Sequence, residues 1–359
     1  MFESFGFETL TAPQAAIWLG LALGLGYGLL AEITGFCFRR TVTGPAPQRK
    51  SAQGVWLMAL IAALLGTQGA VALGWISFDD HRFAAADLPV LAIVAGGLLF
   101  GAGMVLTRGC ASRMTVLAGT GNLRAALVLI VFALTAHAAM KGVLAPLRVA
   151  VSEVTLPLGN AGSLAGLPGG ALFWTAVVAL LALVGVIGSG VGRGKLVLAA
   201  LLGLLVPLGW VGTGFVLFDD FDPIAFESLA FTAPVADTLF WGITATSISA
   251  KFGTGLIGGV LGGALVASLL GRRFKWQSFE SPAQTGRYMA GAVLMGIGGV
   301  LAGGCTIGAG LSGVPTLGVS AIVALAAIGL GGWATDRVLN ARRAGSDGSA
   351  ATQPAQQPA

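Results

Sequence analysis

The chain has 359 residues, of which 55% are hydrophobic and only 10% are charged. Soluble domains carry about 25% charged residues, so this composition excludes a soluble globular protein and predicts an all-α protein with several membrane-spanning helices. The net charge of +5 is not concentrated in a basic patch, which excludes nucleic-acid binding as well.

Apolar runs long enough to cross a bilayer, about 20 residues each, recur along the whole chain. We predict nine transmembrane helices, at residues 14–31, 54–76, 89–106, 122–144, 170–191, 196–218, 253–271, 287–303 and 316–338. A further apolar stretch, 226–248, is interrupted by Pro234 and Asp237. We interpret it as a re-entrant or broken helix.

Basic residues cluster in four places along the chain. They are Arg39, Arg40, Arg49 and Lys50; Arg193 and Lys195; Arg272, Arg273 and Lys275; and Arg337, Arg342 and Arg343. Cytoplasmic loops of membrane proteins are enriched in Lys and Arg, so we predict that these clusters are cytoplasmic. The N-terminus then lies outside and the C-terminus inside. Residues 1–343 are predicted to form a single transmembrane transport domain, followed by a disordered tail at 344–359.

The chain also repeats itself. Residues 96–110, “GGLLFGAGMVLTRGC”, share eight of fifteen positions with residues 291–305, “GAVLMGIGGVLAGGC”, and the final cysteine is in register. On the predicted topology the two spans run in opposite directions, so the repeat is inverted, with halves at about 14–145 and 226–340. Inverted repeats with interrupted helices are typical of transporters, whose substrate site lies where the interruptions meet.

Three cysteines, Cys37, Cys110 and Cys305, each end an apolar segment. Their odd number and wide separation argue against a disulfide framework. Glycines beside two of them permit a sharp break in the helix, and the backbone N–H groups freed there favour anions. The candidate pathway residues are the three cysteines with Gly109, Gly304, Arg108, Arg113, Ser112, Thr306 and Lys251.

Other charged and polar residues have simpler interpretations. The arginines and Lys251 also fit the role of ordinary membrane anchors, and that alternative stays open. His137 is predicted to pack between helices. With only two histidines in the chain, we predict neither a metal site nor a bound cofactor.

The cysteine motifs resemble a known family. The segments “TGFCFRR”, “GAGMVLTRGCASR”, “LAGTGNLR” and “GGVLAGGCTIGAGLSG” are similar to those of the YeeE/YedE sulfur-transport membrane proteins, over about residues 14–340. Characterised members take up thiosulfate across the bacterial inner membrane. The resemblance implies an hourglass-like helical fold with short helices entering from both faces. It also implies pathway roles for Cys37, Cys110 and Cys305, and a small cytoplasmic sulfur-carrier protein as a partner.

One position departs from the family pattern and bears on the substrate. Members often have histidine where this chain has Ala309, which leaves the exact sulfur anion open. Thiosulfate is a dianion with a soft terminal sulfur, to which a neutral thiol can donate a weak hydrogen bond. We therefore predict a transporter rather than an enzyme, with a relay from Cys305 to Cys110 to Cys37.

Two other functions stay open at this point. A membrane sulfurtransferase would form a cysteine persulfide and would need a thiolate, which apolar surroundings disfavour. A soft-metal channel, for instance for Cu(I), would use the thiols together with Met104, Met114 or Met295. The chain has no Cys-x-x-Cys motif, which such a channel would favour.

Overall fold

The structure is a computed structural model that describes residues 11–79, 81–219 and 222–350. Most of these residues are helical. The α-helices are α1 (Ala12–Thr34), α2 (Arg39–Val42), α3 (Ala46–Ala72), α4 (Val90–Leu106), α5 (Ala111–Gly119), α6 (Leu123–Lys141), α7 (Ala145–Ser152), α8 (Gly170–Ile187), α9 (Arg193–Val211), α10 (Thr232–Ile243), α11 (Phe252–Leu270), α12 (Pro282–Leu301) and α13 (Val319–Ala350). The structure also contains two π-helical segments, Gly212–Val216 and Thr306–Leu311. It contains one antiparallel pair of two-residue strands, β1 (Asp87–Leu88) and β2 (Leu156–Pro157).

Nine helical segments within the described residues are long and apolar enough to cross a membrane. Each of them overlaps one of the nine predicted spans, so the all-α, multi-pass membrane class is confirmed. The apolar stretch 226–248 contains only α10, whose 12 residues are too few to cross a bilayer alone. Its re-entry from one face stays a prediction.

Local signals in the sequence set several helix ends. Helix α1 has Pro13 in its first turn, where a missing N–H costs nothing, and ends at Gly35, which has a φ of +67°. A left-handed glycine is the commonest way to terminate a helix. Helix α12 begins after Ser281, whose hydroxyl accepts a hydrogen bond from the N–H of Gln284 at 3.3 Å. Side-chain caps of this kind satisfy N–H groups that the first turn leaves unpaired.

Glycines allow α1 and α11 to pack backbone against backbone. A Cβ added at Gly24 would overlap the carbonyl oxygen of Leu256, and one added at Gly259 would overlap that of Leu21. Small residues four positions apart are typical of close helix pairs in membranes. The glycines that make these contacts are Gly20, Gly24 and Gly28 on α1 and Gly255, Gly259 and Gly263 on α11.

The two helices of the repeated segment, α4 and α12, also pack through glycines, and they run antiparallel. Gly96 lies against Gly298, and Gly103 lies against Gly291. In the alignment of the repeat, Gly96 corresponds to Gly291 and Gly103 to Gly298. Gly96 therefore contacts the residue equivalent to Gly103, and Gly103 contacts the residue equivalent to Gly96. Two elements related by a two-fold axis show this pattern of contacts.

Connecting segments gather at two opposite faces, because successive spans alternate in direction. The Arg82 face consists of residues 73–79, 81–89, 142–169, 217–219, 222–231 and 312–318, and it includes the bond from the N–H of Leu164 to the carbonyl of Leu317. The Cys37 face consists of residues 35–45, 120–122, 188–192 and 271–281, and it includes the bond from the N–H of Leu123 to the carbonyl of Gln277. Basic residues of three predicted cytoplasmic clusters lie on the Cys37 face. That this face is cytoplasmic stays a prediction.

The two chain ends test the predicted organisation only in part. Helix α13 extends through Ala350 and so includes residues 344–350 of the predicted tail; the disorder of that tail stays a prediction. Residues 351–359 lie outside the described residues, and so does the N-terminal segment 1–10 that we predict to be external.

We predict that Gly24→Ala and Gly259→Ala each destabilise the protein by about 1–3 kcal/mol, as overpacking of a filled core does. The added methyl group would force α1 and α11 apart. The measurement is the thermal unfolding midpoint in detergent. The matched control is Gly258→Ala on α11, where a Cβ meets nothing within 4 Å. A Gly259→Ala variant that unfolds at the wild-type temperature would contradict the packing argument.

Candidate functional site

Each cysteine lies at the start of a short helical segment. Cys37 lies two residues before α2, Cys110 directly precedes α5, and Cys305 directly precedes the π-helical segment 306–311. The backbone N–H of Gly308 donates to the Cys305 sulfur at 3.4 Å. The backbone N–H groups of Arg40 and Arg113, also three residues after a cysteine, lie near the sulfurs of Cys37 and Cys110. Unpaired N–H groups at helix starts create a locally positive environment.

The helices that lead to Cys110 and Cys305 end with the same backbone geometry. After α4 the chain turns through Arg108 with a φ of +63°, and after α12 it turns through Gly303 with a φ of +71°. These two residues occupy equivalent positions of the repeat. The left-handed conformation is expected for glycine but is uncommon for arginine. The sharp break thus lies one residue before Gly109 and Gly304.

Gly109 and Gly304 are needed for close packing around the breaks. A Cβ at Gly304 would approach the backbone nitrogen of Ala309 to 2.8 Å, and a Cβ at Gly109 would overlap the end of the Met114 side chain. The segments after both cysteines therefore fold back tightly on the glycine before them. Glycine therefore precedes each of these two cysteines because a side chain at that position would overlap the segment that follows the cysteine.

The three thiols converge in the interior although they are distant in sequence. The side chains of Cys37 and Cys110 are neighbours, and Cys305 lies near Cys110. All three are free thiols and are buried, with exposed fractions of 6%, 1% and 0%. The structure therefore places the three cysteines near one another, and their role as a substrate pathway stays a prediction.

Two hydroxyls complete the central region. The Ser112 hydroxyl lies 3.3 Å from the Cys110 sulfur. Thr306, from the second half of the repeat, lies near Cys110 and so brings the two motifs together. The Thr306 hydroxyl oxygen is fully buried and has no hydrogen-bond partner among the described residues. It is a spare hydrogen-bonding group beside the thiols.

The basic candidates are placed differently from the thiols. Arg113 forms an ion pair with Glu32 at 3.3 Å, and Arg273 lies 3.9 Å from the same carboxylate. Arg108 is exposed. Lys251 lies at the start of α11 and lines a cavity beside Glu227 on the Arg82 face. Of these cations, only Arg113 is brought close to a thiol, that of Cys37.

A cavity of about 320 Å³ opens on the Arg82 face and reaches the loop that carries Cys305. Gly304 and Gly308 form its floor, and three basic side chains, Arg82, Lys141 and Arg148, line it. The buried hydroxyl of Thr232 also lines this cavity and has no hydrogen-bond partner among the described residues. The cavity thus offers positive charge and a free polar group beside Cys305.

A second cavity, of about 290 Å³, opens on the Cys37 face. Cys37 itself lines it, together with Arg40, Lys195 and Gln48. The row of thiols therefore lies between two cavities on opposite faces, and each cavity has basic side chains in its wall. Cys110 and Cys305 are enclosed between them.

An acidic group adjoins the first cavity. A neighbouring cavity of about 370 Å³ contains His81, Glu227 and the ring of Trp210, and it shares Arg82 with the first. Burial, and to a smaller extent Asp237, raises the pKa of Glu227 to about 7, although Lys251 and Arg82 oppose the shift. Burial and then Arg82 lower the pKa of His81 to about 4. Glu227 is thus the carboxyl here that changes charge near neutral pH.

Several of these residues were not singled out from the sequence. Arg82 lies in a loop whose aspartates dominate its composition, and Tyr27 lies in an ordinary apolar helix. The other residues that the sequence did not indicate are Lys141, Arg148, Glu227 and Thr232. No local sequence pattern marks them, because their role depends on which segments surround the cavity.

The ring of His137 stacks on that of Phe240, with centroids 3.7 Å apart, as its predicted packing role requires.

Comparison with known proteins gives matches over most of the chain. The family described as “Sulphur transport” matches twice in succession, at residues 34–191 and 192–334. A protein from Spirochaeta thermophila named thiosulfate transporter TsuA is 28% identical over 343 residues, covering 88% of this chain and 97% of its own length. A protein of the same name from Escherichia coli K12 is 25% identical over 283 residues, covering 71% of this chain and 75% of its own.

We predict that Glu227→Gln raises the thermal unfolding midpoint at pH 8 and that the gain disappears as the pH falls towards 4.5. A carboxyl whose folded pKa, about 7, exceeds its ordinary value of 4.5 binds more protons in the folded state between those two values. Its contribution to stability is therefore lost as the pH rises through this window. The neutral glutamine avoids that loss.

The measurement compares the thermal unfolding midpoint of the variant with that of the wild type at each pH, so that the contributions of His81 and other titrating groups cancel. The control is Glu153→Gln, at an exposed carboxylate on the same face. A difference between Glu227→Gln and the wild type that is constant from pH 4.5 to 8 would contradict the assignment.

Proposed function

The chain belongs to the sulphur transport (YeeE/YedE) family, and on that premise we propose that it takes up thiosulfate across the bacterial inner membrane along its three cysteine thiols. The two relatives described above carry the name thiosulfate transporter, which supports the choice of anion. In this proposal the Arg82 face is external, the Cys37 face is cytoplasmic, and a small sulfur-carrier protein receives the anion at the Cys37 face.

The observation that carries the proposal is the position of the thiols between two cavities with basic walls. An anion that enters from the Arg82 face would meet Arg82, Lys141 and Arg148 first, which raise its local concentration. Beyond them lies the loop of Cys305. On the other side, Cys37 opens directly into the cavity that contains Arg40 and Lys195.

The order of the relay follows from which thiols are neighbours. Cys305 is near Cys110, and Cys110 contacts Cys37. The path Cys305 to Cys110 to Cys37 therefore needs no step between distant groups. A buried neutral thiol offers a weak S–H donor, and the backbone N–H at each helix start adds a second weak donor. Successive weak sites suit conduction, because a tight site would retain the ion.

The proposed function is transport without covalent chemistry. Each thiol would donate a hydrogen bond to the passing anion but form no covalent bond to it, so no base and no redox partner is required. This distinguishes the proposal from a sulfurtransferase, in which a thiolate would attack the outer sulfur of the substrate.

We also propose that the transport domain is built from two inverted halves. The crossed glycine contacts between α4 and α12 support this, as do the equivalent left-handed turns at Arg108 and Gly303. The family match in two successive segments agrees with two related halves. In such proteins the site lies at the interface of the repeats, where Thr306 meets Cys110.

We predict that Cys305→Ser, Cys110→Ser and Cys37→Ser each reduce thiosulfate uptake at least tenfold, because the shorter and harder serine hydroxyl does not replace the contact of a soft thiol with the terminal sulfur of the anion. The measurement is uptake of radiolabelled thiosulfate into cells that lack their own sulfate and thiosulfate importers, with equal membrane expression confirmed. The control is Thr175→Ser, a buried hydroxyl on α8 that bonds only within its helix. Full uptake by all three serine variants would refute the relay.

We predict that Arg82→Gln raises the KM for thiosulfate several-fold and leaves the maximal rate nearly unchanged. Arg82 attracts the anion before the anion reaches the thiols. Loss of Arg82 therefore weakens the attraction of thiosulfate to the cavity and leaves its passage along the thiols unaffected. Raising the ionic strength should increase the wild-type KM more than that of the variant, because salt screens exposed charges. Lys50→Gln, an exposed cation on the opposite face, is the control. A KM unaffected by Arg82→Gln would remove the Arg82 cavity from the pathway.

A further inference from the structure

Tyr27 occupies a position that neither the cysteine motifs nor the repeat explains. It lies in the middle of α1, and only 1% of its surface is exposed. Its hydroxyl lies near the side chain of Ser112, the residue whose own hydroxyl lies 3.3 Å from the Cys110 sulfur. A phenol buried in a membrane protein needs such a partner, because an unpaired hydroxyl there is costly.

The ring of Tyr27 is connected to the other two thiols. It contacts the ring of Phe36, at 6.3 Å between centroids and nearly perpendicular, and Phe36 is the residue directly before Cys37. It also contacts the ring of Phe231 at 5.2 Å. The backbone N–H of Phe231 in turn lies near the Cys305 sulfur. Tyr27 itself lies within electrostatic range of all three thiols.

We propose that Tyr27 is a positioning residue of the thiol pathway, whose hydroxyl fixes Ser112 and thereby the direction of the Cys110 thiol. Cys110 is the middle thiol and lies beside Cys37. The orientation of the Cys110 S–H group therefore decides whether it faces the passing anion or only the Cys37 thiol. This inference rests on the proposed function for its transport readout, but the orientation itself is a property of the resting protein.

The geometry favours this role over simple packing. If Tyr27 only filled space, its ring contacts with Phe36 and Phe231 would suffice and the hydroxyl would be dispensable. The hydroxyl instead adjoins Ser112, whose own hydroxyl lies 3.3 Å from the Cys110 sulfur. In an apolar interior, each member of such a chain restricts the rotation of the next.

The test is Tyr27→Phe, which keeps the ring and removes the hydroxyl, measured beside Ser112→Ala and the double variant. We expect Tyr27→Phe to lower Vmax/KM for thiosulfate about three- to tenfold, the effect of one lost polar contact. Because Tyr27 acts through Ser112, the double variant should be no worse than Ser112→Ala alone. Tyr288→Phe, the same exchange at the other tyrosine of the chain, should transport like the wild type.

A second readout does not depend on transport. The infrared S–H stretching band of Cys110, identified by its loss in Cys110→Ala, should shift in Tyr27→Phe and keep its wild-type position in Tyr288→Phe. Full uptake by Tyr27→Phe, additive effects in the double variant or an unshifted band would each overturn the proposal. If the wild type itself fails to take up thiosulfate, the proposed function is wrong, and the band alone then decides the role of Tyr27.

Discussion

The position of the pathway depends on glycine packing between helices. Helix α1 leads to Cys37, α4 leads to Cys110 and α12 leads to Cys305, so the thiols can meet only where these helices are held close. Gly24 and Gly259 let α1 and α11 touch backbone to backbone, and Gly96 and Gly298 do the same for α4 and α12. The hydrophobic effect does not hold helices together inside a bilayer, so such close contact supplies much of the association energy.

Close packing also makes the interrupted helices tolerable. A break in a helix exposes N–H and C=O groups, which in hydrocarbon must be enclosed by protein or must line a cavity. The N–H groups after the breaks point at the cysteine sulfurs, as that of Gly308 does at Cys305. The Cys305 sulfur thus caps a helix start, and in the proposed pathway the same sulfur is a contact point for the anion.

Charge is distributed unevenly along this axis. Cations line the two cavities, while thiols and hydroxyls line the described region between them, and Arg113, close to Cys37, is paired with Glu32 at 3.3 Å. For a proposed dianionic substrate this arrangement attracts the ion at the ends and avoids a deep electrostatic well in the middle. An unpaired buried cation at the centre would bind the ion too tightly to release it.

The sequence by itself determined the membrane class, the nine spans, the family and the three helix breaks, because each depends on local features: the length of apolar runs and glycines beside cysteines. It did not reveal Tyr27, which lies within an ordinary apolar run, or Arg82, which lies in a loop rich in aspartate. Only the tertiary structure decided that Cys37 contacts Cys110, that Thr306 crosses to the first motif, and that Lys251 lies apart from the thiols. These relations are distances between segments far apart in the chain, and they are set by how closely the glycine-bearing helices approach one another.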